Sequence, residues 1–153
     1  MKAVRCGPAH QKGIVMPYLD APFLRIDWDK DLKCVSMEYK DVFVEGEEYR
    51  SVLGKVLDLV EEKRCSRLLA DGRKMKIITP EDQAWVEKDW LPRSKRVGIR
   101  HSALILPKSV VSTLAVNRIM ERFTSKGGKE VEIVRAYFDD TPSARTWLRS
   151  VPD

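Results

Sequence analysis

The sequence predicts an α/β domain with a single mixed β-sheet. An N-terminal antiparallel hairpin should lead into parallel β-α-β units with about four helices. Three observations carry this expectation. Two alternating runs, 23–28 and 33–39, flank a short polar turn. A stretch of helical period follows them, and strands then alternate with helices to the end of the chain. The most complete piece lies between Arg67 and Pro107, where one strand–helix–strand unit keeps all its punctuation.

The elements follow in chain order. Gly13 to Tyr18 reads as an edge strand, because Pro17 cannot donate to a ladder at the centre of a sheet. Residues 1–20 as a whole read either as that edge strand or as a loose segment. From Phe23 the chain alternates, with Leu24, Ile26 and Trp28 on one side and Arg25 and Asp27 on the other. Asp29-Lys30-Asp31 turns it, and Val35, Met37 and Tyr39 repeat the alternation, which makes a hairpin with one face on a core. After Gly46, Tyr49, Val52, Leu53, Val56, Leu57 and Val60 recur at helical spacing out to Glu62. Arg67 to Ala70 is a short buried strand that stops at Asp71-Gly72-Arg73. Thr79-Pro80-Glu81-Asp82 opens a helix running to about Val97, and Gly98 closes it. Ile99 to Leu106 is the next strand. Lys108 to Thr124 is a helix with a stripe of Val116, Ile119, Met120 and Phe123, stopped by Gly127-Gly128. Val131 to Phe138 is a strand, and Thr141-Pro142 opens a terminal helix with Ala144, Trp147, Leu148 and Val151 on one face. No repeat, linker or low-complexity tract divides the 153 residues, so a single domain is expected.

Composition narrows the function classes. Apolar residues make up 43% and charged residues 33%, the balance of a globular protein. No apolar run approaches the roughly 20 residues that span a bilayer. The N-terminus lacks the apolar core of a secretory signal, so a cytoplasmic location is expected. Cys6, Cys34 and Cys65 are odd in number and have no CxxC spacing, which argues against a disulfide framework and a zinc site. The net charge of +5 is spread along the chain. Its densest run, Arg93-Ser94-Lys95-Arg96, has no interleaved aromatic residues and suits a helix C-terminus, so nucleic acid is not an expected partner.

Chemistry should gather beyond the carboxyl ends of the parallel strands. The loops there begin at Asp71-Gly72-Arg73-Lys74, at Pro107-Lys108-Ser109 and at Asp139-Asp140-Thr141. If the strands are parallel, these loops share one rim. Helix N-termini and the charges of Arg73, Lys74 and Lys108 would then favour an anion, with Ser109 beside them. Thr79 and Asp82 have the spacing of a capping box, in which Asp82 returns a bond to the cap. Trp85 and Trp90 stand five residues apart, about 140° around an α-helix, so one of them should be exposed to a partner or an apolar ligand. No GxGxxG, GxxxxGKS, GxSxG or HExxH motif is present. His10 and His101 are the only histidines, and no nucleophile–base pair can be named. The residues therefore give no reason to expect catalysis, a cofactor or a metal.

The run RLLADGRKM…ITPEDQAWVEKDWLPRSKRVGIRHSALILP…VEIVRAYFDDTPSARTWL, with this order of elements, resembles the SpoIIAA-like branch of the STAS superfamily. The resemblance covers roughly Phe23 to the C-terminus. It implies a mixed sheet with helices and a regulatory module that binds protein partners. The family's phosphorylatable serine or threonine sits in a DSSG-like turn. The matching turn here, Lys76 to Asp82, has no DSSG, and Thr79 is its only hydroxyl. A Thr79 engaged in capping argues against a phospho-switch. A related branch resembles CRAL-TRIO lipid-binding domains, which adds an apolar ligand to the expectations. Two readings follow: a module acting by protein–protein contact, self-association as a homodimer included, and a carrier for an apolar or phosphorylated small molecule.

Overall fold

A computed structural model of the protein describes residues 18–106 and 133–152. The expected strand over 13–17, the rim residues Lys108 and Ser109, and the helix expected over 108–124 lie outside the described residues.

Six strands form one sheet in strict sequence order, β1 to β6. They are β1 (Leu19–Asp20), β2 (Leu24–Asp29), β3 (Cys34–Tyr39), β4 (Arg67–Asp71), β5 (His101–Ile105) and β6 (Val134–Phe138). The first three are antiparallel, and β3 through β6 are parallel. The hairpin register pairs Leu24 with Tyr39 and Asp29 with Cys34. Its turn is held by the Asp29 carboxylate, which accepts the Leu32 amide at 3.0 Å and also pairs with Arg145.

Because the order is sequential, the β3–β4 and β4–β5 crossovers step the same way and, being right-handed, deliver their helices to the same face. On that face lie α1 (Gly46–Lys63) and a continuous rod made of α2 (Pro80–Trp85), a π-helical turn (Val86–Trp90) and α3 (Leu91–Arg96). The expected stripe of α1 is the buried one: Tyr49, Leu53, Val56, Leu57 and Val60 meet Ile26, Val35, Met37 and Leu68 from the strands. The last helix, α4 (Thr141–Ser150), covers the other face. There Ala144 and Leu148 close a smaller cluster with Cys34, Leu69, Ala103 and Ile105. No helix among the described residues is long and apolar enough to cross a membrane.

The closure of the rod shows why Gly98 is a glycine. Its φ is +114°, which L side chains rarely adopt, although a β-carbon would meet nothing nearer than the Cys65 carbonyl at 3.8 Å. The constraint is backbone conformation, not space. Gly98→Ala is expected to destabilise the fold by about 1–2 kcal/mol. Urea unfolding checks this, and an unchanged midpoint would refute the backbone argument.

Candidate functional site

The parallel order of β4, β5 and β6 sets the loops after β4 and β6 on one rim, while the loop after β5 lies outside the described residues. Asp71 ends β4, and the Arg73 guanidinium grips its carboxylate with two bonds, Nε to Oδ1 at 3.0 Å and Nη2 to Oδ2 at 2.7 Å. The Arg73 amide donates to the same carboxylate at 3.1 Å. Nη2 also donates to Thr141 Oγ1 at 3.2 Å, so Arg73 straps the β4 loop to the start of α4. Burial opposes ionisation of Asp71, yet the Arg73 hydrogen bonds outweigh it and hold the carboxyl below its ordinary range. The α4 N-terminus is already capped, since Asp140 Oδ1 accepts the Ser143 amide at 2.7 Å. An incoming anion would have to displace two carboxylates of the chain itself. Lys74 is exposed beside this strap. The rim thus gathers Asp71, Arg73 and Thr141, but as an internal lock.

Thr79 and Asp82 sit at the start of α2. The Thr79 hydroxyl accepts the Asp82 amide at 3.2 Å, as a cap does. The Asp82 side chain does not return a bond to that cap. It is fully buried and turns to α1, where Oδ2 accepts the Gly46 amide and Oδ1 accepts Arg50 Nε, each at 2.9 Å. The residue preceding α1, Glu45, gives no side-chain cap, so Asp82 from another helix supplies one. This is a correction to the capping-box expectation.

The expected exposed tryptophan is also absent. Trp90 is buried, its indole donating to the Leu53 carbonyl at 2.7 Å, and half-buried Trp85 packs edge-on against Tyr49 at 6.3 Å. The angle of 140° assumed α-geometry throughout. The π turn between them closes bonds five residues apart, as from the Leu91 amide to the Val86 carbonyl, and so stacks residues five positions apart on one side. Both rings meet α1.

The two buried thiols and His101 are shifted toward their neutral forms. Burial, with a contribution from the Asp29 charge, pushes the Cys34 thiol up to about 12, and burial raises Cys65 as well. Neither supplies a thiolate at neutral pH. Burial, then the charge of Arg67, lowers His101, whose Nδ1 is buried without a hydrogen bond. Among the described residues, no group of three or more His, Cys, Asp or Glu side chains could hold a metal ion.

Two features escaped the sequence. One is an exposed apolar patch where the loops after β3 and β4 meet: Val42, Phe43 and Ile77 are 43%, 49% and 51% exposed. Lys76 Nζ to Asp41 Oδ1 at 2.6 Å ties the two loops together. The apolar residues between Asp41 and Val44, assigned to no element, were the only signal. The other feature is a cavity of about 100 Å³ between the sheet and the helices, with Leu53, Leu68, Val86, Trp90 and Ile105 among its walls. No family model, curated protein or solved structure matches the chain.

Proposed function

We propose that the chain is a protein-binding module of the SpoIIAA-like kind, acting by contact rather than catalysis and serving a regulatory role. The observation that carries this reading is the patch of Val42, Phe43 and Ile77. Three large apolar side chains, each about half exposed, stand on two neighbouring loops at the rim where α/β sheets present their sites. Exposed side chains of this kind, grouped and rimmed by charge such as Lys74 and the Lys76–Asp41 pair, mark interaction surfaces. Thr79, engaged as a helix cap, makes the module's docking independent of phosphorylation at that turn. A second copy of the chain is one partner of this class, because β6 ends the described sheet with Val134 and Tyr137 exposed.

The double substitution Phe43→Ser, Ile77→Ser tests the reading. Being surface changes, they should leave the thermal midpoint almost unmoved. They should weaken binding of the partner captured by the wild-type domain by about tenfold or more. Undiminished capture would remove the patch from the proposal.

A further inference from the structure

We propose that the cavity between the sheet and the helices is a binding site for a compact apolar molecule, a small ring or branched alkyl group, entering between the loops after β3 and β4. This goes beyond docking at the patch and stands on separate observations.

The first is the character of the space. It is a recess of about 100 Å³ that opens toward the surface. Its walls are overwhelmingly apolar, and three of its few hydroxyls already have partners within the chain. Tyr39 and Tyr49 share a hydrogen bond, and Ser94 Oγ donates to the Leu91 carbonyl at 2.6 Å. Water placed there would find few bonds, so the space favours an apolar occupant. Engineered apolar cavities of about 150 Å³ take up benzene or xenon, which sets the scale.

The second is the wall itself. Val86, Trp90 and Leu91, the residues of the π turn and its closure, all line the cavity. Such single turns are frequent at functional sites. The third is access. A crevice between the two loops shares Tyr39, Tyr49, Met75 and Ile78 with the cavity, so one set of side chains runs from the surface to the interior.

The test uses the full chain, with benzene as probe and carbon-13-labelled methionine methyls as reporters. Met37 and Met75 both line the cavity. Benzene should shift both methyl signals saturably and raise the melting temperature by about 3–6 °C at ten times its dissociation constant. Ala70→Leu, which places a larger side chain on the sheet wall, should abolish both effects. The methyl titration of the wild type decides the matter even if that variant fails to fold. Absent or non-saturating shifts at Met37 and Met75, or equal shifts in a folded Ala70→Leu, would overturn the proposal.

Discussion

Asp82→Ala is expected to lower the unfolding free energy by about 2–3 kcal/mol. The carboxylate is wholly inaccessible and serves two donors on α1, the Gly46 amide and Arg50 Nε. Removing it leaves a helix-terminal amide without its cap and a guanidinium without its anion. Breaking a buried pair typically costs about 3–5 kcal/mol, but Arg50 is 39% exposed and can return to water, which trims the loss. Asp82→Asn keeps an acceptor for the Gly46 amide and should lose about half as much. Urea unfolding of both variants, combined with Arg50→Ala in a double-mutant cycle, measures the coupling. Strictly additive losses would show that Arg50 and Asp82 do not act together.

Arg67→Ala is expected to cost about 3 kcal/mol, concentrated on α4. Arg67 is 9% exposed and donates from Nη1 to the Leu32 carbonyl and from Nη2 to the Val151 carbonyl, each at 2.7 Å. One side chain on β4 therefore holds both the hairpin turn and the exit of α4. Hydrogen bonds to a charged group contribute about 1.5–3 kcal/mol each, and alanine adds a void. Amide exchange should accelerate over Thr141–Ser150 more than over α1, and an equal change in both helices would refute the local tether. The substitution also removes the charge that, after burial, depresses His101. The imidazole should then titrate at a higher pH than in the wild type, visible by proton NMR.

The fold was legible wherever burial imposes a period. Leu24 and Ile26 against Arg25 and Asp27 announce β2, and the spacing from Tyr49 to Val60 announces α1, because in each case one face meets water and the other a core. That the loops after β4 and β6 share one rim was legible through topology alone, since parallel strands present their loops together. What failed was anything set by an encounter between distant segments. Thr79 to Asp82 has the pattern of a local cap, and nothing in that pattern reveals that Gly46 will lie within reach of Asp82. Trp85 and Trp90 were separated by assuming 3.6 residues per turn, and a π turn leaves no periodic trace. Val42 and Ile77 lie 35 positions apart and line one crevice only because β3 and β4 are neighbours.

The sequential strand order also bears on how the chain assembles. Every strand lies beside the one that precedes it in the chain, so no strand waits for a partner synthesised later. The loop to be closed at each step from β1 to β5 is one helical excursion at most, which keeps contacts comparatively local for a parallel sheet and favours quick formation. Such a sheet can grow from its hairpin outward as the polypeptide leaves the ribosome. The Arg67 bond to Val151, spanning 84 positions, is then made when the last helix arrives, and it fastens a sheet already built.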